Sequence, residues 1–344
     1  MKKNNVFKCI CLIIVFLFIT SCYLTNVPIY PSASAFHNVI HSPFLAGNEE
    51  ITGMATCGDF VVAVSYSGTI AWSDDHGITW DDTVTIIEGF SDGIRFNTVA
   101  WGEGYFFAGG DGGKAAFSRD GKLWHYGVIG PMSPKNILAT AVGEMRGQTV
   151  FIAAGNDGRI AYALNSPTGP WVHVWFSPFG DLNNFGDDIN ALIYGKVRGN
   201  GLFVAAGDNG KYAVMNDFSE KLYGPTTAGT REDFRSAAYG NERFIAVGDG
   251  ALMRISANPE SYSWVTVRDH DFMLRPFDHI AFAPAINHFV VISSEDAVVG
   301  FSPDGELWSA ITLTSRFVNG ISAVVGTKER IILGGKDGMI VYSN

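Results

Sequence analysis

Charge is scarce in this chain: Asp, Glu, Lys and Arg make up 17% of its 344 residues, against roughly 25% in an average protein. Both a coiled coil and a disordered segment need more charge, and a 13% aromatic content points away from them as well. Basic residues are the rarer sign, 24 against 34 acidic, for a formal charge of −10. With no basic surplus to displace counterions from phosphates, no nucleic-acid partner is expected. His-Glu-x-x-His, Gly-x-Ser-x-Gly and a glycine-rich phosphate loop feeding a helix are all missing. The eight histidines are scattered without metal-ligand spacing. No catalytic residue, metal or cofactor is assigned on these grounds. Glycine, in contrast, is abundant, with 40 residues, and turns should be frequent.

One apolar run stands out, residues 10–19, behind the positive residues Lys2, Lys3 and Lys8. It is short for a bilayer span and ends in small polar residues, as a secretory signal does. Its end, Ile19-Thr20-Ser21-Cys22, resembles the bacterial lipobox, in which a thiol receives diacylglycerol after cleavage. The resemblance implies a signal peptide over 1–21, lipidation (with palmitate among the acyl chains) at Cys22 and a tether over 22–35; an uncleaved anchor helix is the alternative. Cleavage would leave 21 basic against 34 acidic residues, and would leave Cys57 as the one unmodified cysteine. A disulfide framework is then excluded. The expected place is the bacterial cell envelope, with the chain exported and anchored in a membrane through its N-terminal lipid.

The remainder, 36–344, repeats one unit. Copies start at Phe60, Phe106, Phe151, Phe203, Phe244, Phe289 and Ile331, at intervals of 41 to 52 residues. A period near 45 suits four short strands and their turns, which is one propeller blade. Before each copy lies a short strand of small residues, such as Asn97-Thr98-Val99-Ala100-Trp101, suited to the crowded axis. A fourth strand follows an aromatic: Trp80, Trp124, Trp171, Tyr223, Trp264 and Trp308. The seventh unit reaches Ser343-Asn344 without its outer strand, and Phe36-His37-Asn38-Val39 can supply it. The expected fold is therefore all-β, a single seven-bladed β-propeller of four-stranded antiparallel blades, its ring closed by an N-terminal outer strand that hides the sheet edge. Six or eight blades are the alternatives.

A hairpin recurs between third and fourth strands. Ser73-Asp74-Asp75-His76-Gly77-Ile78-Thr79-Trp80 has Ser, Asp, Gly and Trp at fixed offsets; Ser118, Asp120 and Trp124, and Ser302, Asp304 and Trp308, belong to versions one residue shorter. In such a turn the Asp and Ser side chains accept backbone N–H groups and glycine supplies a positive φ. These residues resemble the Asp-box (BNR-like) propellers of the sialidase-like superfamily over nearly the whole of 36–344. The resemblance implies a structural role for the boxes, away from the working face. A sialidase-like enzyme would also carry a Phe/Tyr-Arg-Ile-Pro motif, from which Ile94-Arg95-Phe96-Asn97 departs, and a trio of arginines for the substrate carboxylate. Arg95, Arg235, Arg275 and Arg316 are the arginines near inner-strand starts.

Meander connectivity sends second-to-third strand turns and blade-to-blade loops to one face, and the boxes to the other. Asp111, Asp157, Asp208, Asp249, Asp296 and Asp337 are expected on the first face. Asp81, Asp82, Glu88, Asp92, Asp187, Asp188, Glu232, Asp233, Asp269 and Asp271 are expected to join them. An acidic rim of this kind attracts basic partners, although turn conformation and solubility alone also select Asp. Oxygen-rich turns can hold calcium, yet no copy has the spacing of a dedicated loop, so no ligands are named. Asp269-His270-Asp271 is the most suggestive local cluster, with a solvated loop as the plainer reading. Arg95, Asn97, Asn190, Arg235, Asp278 and His279 break the apolar pattern at inner-strand starts and are the candidate ligand-binding residues of the channel mouth, the alternative being a water-filled lining. The expected function is a monomeric, membrane-tethered scaffold binding an envelope protein or peptide, basic in character, through the acidic loop face. The alternative is a carbohydrate-binding or glycoside-hydrolysing propeller using the channel mouth.

Overall fold

The computed structural model describes residues 31–39, 41–88, 93–174, 186–217, 223–261, 263–267, 275–314, 317 and 319–344. The expected signal peptide over 1–21, Cys22 and most of the tether lie outside the described residues, as do Asp92, Asp269, His270, Asp271 and Arg316.

Strand β1 (Phe36–Asn38) precedes a run of blades. The first blade holds β2 (Ile51–Cys57), β3 (Phe60–Ser65) and β4 (Ile70–Ser73), after which comes β5 (Thr85–Glu88). The second holds β6 (Phe96–Gly102), β7 (Tyr105–Gly110), β8 (Lys114–Ser118) and β9 (Leu123–Val128). The third holds β10 (Ile137–Met145), β11 (Gln148–Gly155), β12 (Ile160–Leu164) and β13 (Val172–His173). In the fourth are β14 (Ile189–Val197), β15 (Asn200–Gly207), β16 (Lys211–Met215) and β17 (Tyr223–Thr227). The fifth contains β18 (Phe234–Gly240), β19 (Arg243–Gly248), β20 (Met253–Ser256) and β21 (Val265–Thr266). The sixth contains β22 (His279–Ala283), β23 (His288–Ser293), β24 (Val298–Ser302) and β25 (Ser309–Thr312). The seventh contains β26 (Ile321–Gly326), β27 (Ile331–Gly335) and β28 (Ile340–Ser343). Its outer strand is β1, antiparallel to β28 with Phe36 opposite Ser343 and Asn38 opposite Val341. The chain is a seven-bladed propeller closed by its N-terminal strand.

The continuous apolar second strands follow from burial on both faces. In β3, Val62 and Val64 pack with Ile94, Phe96 and Phe106 of the second blade. Val61 and Ala63 turn the other way, onto Ile332 of the seventh blade and Ile51 of their own. Core therefore lies between blades, in slabs each shared by two neighbours. Inner strands are small-residue strands because neighbouring backbones nearly touch. A Cβ on Gly102 would sit 2.4 Å from the Val142 carbonyl oxygen of the third blade.

Two details depart from the sequence reading. The pairing of Gly53 with Val64 and of Thr98 with Gly109 makes Val61, not Phe60, the equivalent of Phe106. Phe60 fits the apolar pattern equally well because it stacks on Trp72. Nor is every blade four-stranded. After Trp80 the chain makes one antiparallel bridge, Trp72 with Asp81, then leaves. It runs instead as β5 parallel to β9 of the second blade, with Thr85 opposite Leu123, so that the second sheet has five strands and the first three. Lys122 lies over the Trp72 ring at 3.5 Å and its carbonyl accepts the Thr85 N–H, which ties the crossing segment down.

The Ser-x-Asp hairpins are closed locally. Ser73 Oγ donates to Asp75 Oδ1 (2.8 Å) and accepts from Gly77 N, while Asp75 accepts from the N–H groups of Ile78 and Thr79. Ser118 and Asp120 repeat the arrangement, as do Ser302 and Asp304. The indole N–H of Trp80, Trp124 and Trp308 donates back to the carbonyl of Gly77, Gly121 and Gly305 respectively, at 2.8 to 3.0 Å. Each hairpin glycine presses on the preceding blade: Gly77 on Ile332, Gly121 on Phe60 and Val62, and Gly305 on Ile245 and Ile255.

Candidate functional site

Polar residues meet where the sequence has a bulge. At the second residue of most inner strands the ladder skips one position, and the skipped side chain is free to turn away from the sheet. Those residues are Thr52, Asn97, Leu138, Asn190, Arg235 and Ser322; Asp278, just before β22, takes the corresponding place in the sixth blade. Six of the seven are polar, and they reach sideways. Asn97 Nδ2 donates to Asp111 of its own turn and to the Ile137 carbonyl of the next blade, both at 3.1 Å. Asn190 does the same with Asp208 (2.8 Å) and the Phe234 carbonyl (2.9 Å). Thr52 donates to the Phe96 carbonyl and Ser322 to that of Ile51, which extends the pattern through the ring closure. Arg235 is the ionic version: Nε meets Asp249 at 2.5 Å and Nη1 meets Asp278 at 2.6 Å. Asp278 also accepts from the Ser294 N–H. Blade-to-blade contact at the mouth is thus made by the residues that break the apolar pattern.

Inside this ring an axial cavity of about 240 Å³ is bounded by all seven inner strands. Of the expected mouth residues, Asn97, Asn190, Arg235 and His279 line it, whereas Arg95 and Asp278 do not. Arg95 is exposed one step further out, its guanidinium over the Tyr66 ring at 5.5 Å. The arginines of the sialidase-like expectation are engaged separately: Arg95 with Tyr66, Arg235 with two carboxylates, and Arg275 with Asp296 at 3.0 Å. Among the described residues they do not converge on one point.

His279 is the odd member of the next ring inward. Its equivalents by register are Gly53, Thr98, Ala139, Ala191, Ser236 and Ala323, all small. Burial pushes the His279 imidazole below its ordinary pKa; Asp278 opposes the shift and Arg235 adds to it. The ring is therefore neutral at pH 7. Asp208 moves the opposite way for a carboxyl: burial raises it, the Asn190 hydrogen bond lowers it, and the charges of Asp233 and Asp188 push it up further.

The rest of the expected acidic rim is more evenly charged than its aspartates alone suggest. Lys135 pairs with Asp157 (2.6 Å), Lys211 with Asp187 (2.5 Å) and Arg275 with Asp296. Asp188 and Asp233 act within the fold, accepting the turn N–H groups of Asp157 and Asn209 from the preceding blade. Asp81 is not on the rim: its pairing with Trp72 puts it and Asp82 on the outer edge, at the hairpin end of the first blade. The parallel crossing of β5 could not be inferred from a repeat that predicts a local fourth strand. Acidity persists at the mouth itself. In the bulge ring and the first turn position beside it stand Asp111, Asp208, Asp249 and Asp278, against Arg235 and Lys336.

Cys57 ends β2 half-buried, and burial with the nearby Asp59 charge pushes its thiol up, opposite to what an activated nucleophile requires. Among the described residues, no group of three or more His, Cys, Asp or Glu side chains is placed to hold a metal ion.

No protein-family model matches the chain, and no curated protein matches it in sequence. Solved structures do resemble it. YCF48 from Cyanidioschyzon merolae is 14% identical with a TM-score of 0.65, over 90% of this chain and 98% of that one. A YCF48 bound to D1 peptide is 16% identical with a TM-score of 0.67, over 92% and 96%. The WD40 β-propeller domain of Doa1 is 14% identical with a TM-score of 0.64, over 92% and 97%. At such identities the likeness is one of fold.

Proposed function

We propose that this propeller is a protein- or peptide-binding scaffold that engages a basic partner through the loop face around the axial mouth. The observation that carries the reading is the charge of the bulge ring and the turn positions beside it, four carboxylates against two bases on a surface to which all seven blades contribute. Such a field raises the local concentration of cationic partners and fades with salt. A propeller of similar fold is described as bound to a peptide, which agrees with this use of the architecture. The Ser-x-Asp hairpins support placing the chain with the Asp-box (BNR-like) propellers, with the hairpins structural. The pattern Ile19-Thr20-Ser21-Cys22 supports export, lipidation at Cys22 and a chain held at a membrane of the bacterial cell envelope.

Capture of partners from envelope extract at low and high salt tests the scaffold. A bound protein that is released by salt, and lost with the charge reversals Asp111→Lys and Asp208→Lys, is the expected result. Retention unchanged by both substitutions and by salt would overturn it. Lipidation is tested by metabolic labelling with palmitate: incorporation should vanish in Cys22→Ala.

A further inference from the structure

We propose that the axial cavity is a binding site for a primary ammonium group on a slim alkyl chain, received by His279 and the carboxylates around the mouth. This deepens the reading of a basic partner, because a lysine side chain is such a group.

Three observations meet here. The first is size: the cavity, about 240 Å³, is bounded by inner strands of all seven blades, and at roughly 30 Å³ per water it admits a small ligand such as a short alkylamine. The second is His279. At the other six equivalent positions the residue is Gly, Ala, Ser or Thr, so packing at the axis gives no reason for an imidazole. Enclosed by protein, it keeps its contact with solvent through the cavity it lines. Among the described residues its imidazole makes no hydrogen bond, while its neighbour in the ring, Ser236, accepts the Ile280 N–H. Neutral imidazole carries one nitrogen lone pair, an acceptor for an N–H donor.

The third is charge. Asp278 immediately precedes His279, and Asp111, Asp208 and Asp249 stand nearby at the turns. Arg235, bonded through Nε and Nη1 to Asp249 and Asp278, offsets only one of that pair of charges. Lys336 is exposed at the seventh blade's turn, and carboxylates still outnumber bases. An ammonium has three donors and no acceptor, which suits a lone-pair nitrogen in the cavity wall and a surplus of carboxylates around the mouth. A carboxylate ligand would meet the same field with the wrong sign.

The test uses the full-length protein and three probes of one size: n-butylammonium, n-butanol and butyrate. Imidazole NMR signals of His279 should shift saturably with n-butylammonium and stay fixed with the other two. Two variants check the imidazole contact and the charge at the mouth, and each installs what another blade already carries there. Asp278→Asn copies Asn97 and Asn190, and His279→Ala copies Ala139 and Ala191, so both should fold. Each is expected to weaken n-butylammonium binding about tenfold, read by calorimetry, as loss of the imidazole acceptor or of one nearby carboxylate charge would. Equal binding of butyrate, absence of saturation with n-butylammonium, or affinity unchanged in both variants would overturn the site.

A blocked tripeptide, acetyl-Gly-Lys-Gly-amide, separates the sources. Competition with n-butylammonium assigns the site to a peptide lysine, and its failure beside bound n-butylammonium assigns it to free amines. Binding of the free amine with no captured envelope protein would leave this site standing and remove the scaffold. Salt-sensitive capture of a protein with no amine binding would do the reverse.

Discussion

The side-chain amide of Asn190 lies 2.8 Å from Asp208 Oδ1, and the same nitrogen is 2.9 Å from the carbonyl of Phe234 in the next blade. One residue thereby fixes a turn within its own sheet and the spacing to its neighbour. Asn97 repeats both contacts, and Arg235 exchanges the neighbour's carbonyl for a carboxylate. Polar residues at the axis thus have two uses: they hold blades together and give the mouth its charge.

Asn190→Ala removes both contacts and leaves the Phe234 carbonyl without its side-chain donor. A partly buried acceptor left unmade costs about 1–3 kcal/mol, and that loss should appear as a lower urea midpoint. The m-value should stay unchanged, since the fold and the surface it buries are retained. A midpoint equal to that of the parent protein would show that water replaces the amide at no cost.

The architecture was legible because the physics that builds it is local and repeated. Ser73, Asp75, Gly77 and Trp80 specify one turn from eight consecutive residues, and Phe36-His37-Asn38 carries the alternation of the outer strand it becomes. The path of β5 was not legible. Thr85 and Ile86 have strand-forming side chains in either sheet, and the edge they join is set by tertiary contacts, the ladder with Leu123 and Trp124 and the meeting of Lys122 with Trp72 and Thr85. Asn97 and Asn190 were readable as axial residues, yet their partners Ile137 and Phe234 are some 40 residues away and belong to another blade. His279 looked like one polar residue among several; that its six counterparts are all small emerges only from strand register.

Gly121 should be among the least replaceable glycines. Its φ is +72°, and an added Cβ would come within 2.4 Å of Phe60 and 2.9 Å of Val62. Gly147 has a similar φ of +76° with nothing near its Cβ position. Left-handed backbone alone costs an alanine roughly 1–2 kcal/mol, and overpacking adds about 1–3 kcal/mol. Thermal unfolding of Gly121→Ala and Gly147→Ala should therefore show the first clearly less stable. Equal losses would mean that the hairpin moves off the first blade freely.

Phe36 is fully buried on the strand that closes the ring. Phe36→Ala should cost about 3–5 kcal/mol, as truncation of a buried aromatic does. Because β1 pairs only with β28 in its sheet, the damage should concentrate at the closure. Hydrogen exchange is expected to rise at Tyr342, opposite His37, and at Asn344, whose N–H donates to the Ala35 carbonyl, well before it rises at Phe203 in the fourth blade. Uniform acceleration across all blades would argue that closure and blade stability are one cooperative unit.

Asp75, Asp120 and Asp304 are the carboxylates through which acid should act on the hairpins. Burial would raise each pKa, but hydrogen bonds from backbone N–H groups and from Ser73, Ser118 and Ser302 outweigh it, so all three lie below the ordinary carboxylate value. A folded pKa below the unfolded one gives stability that is complete above the unfolded value, about 3.9, and is lost as pH falls through the folded value. Converting all three to Asn should lower stability at pH 7 and flatten its decline below about pH 4. Asp208 supplies the opposite sign, since burial and the charges of Asp233 and Asp188 raise it above the ordinary value. Its contribution falls as pH rises from the unfolded value through the folded one, so Asp208→Asn should relieve a penalty present at neutral pH. Urea midpoints of the parent and both variants across this range measure the two effects separately. Parallel curves for all three proteins would place acid sensitivity elsewhere in the propeller.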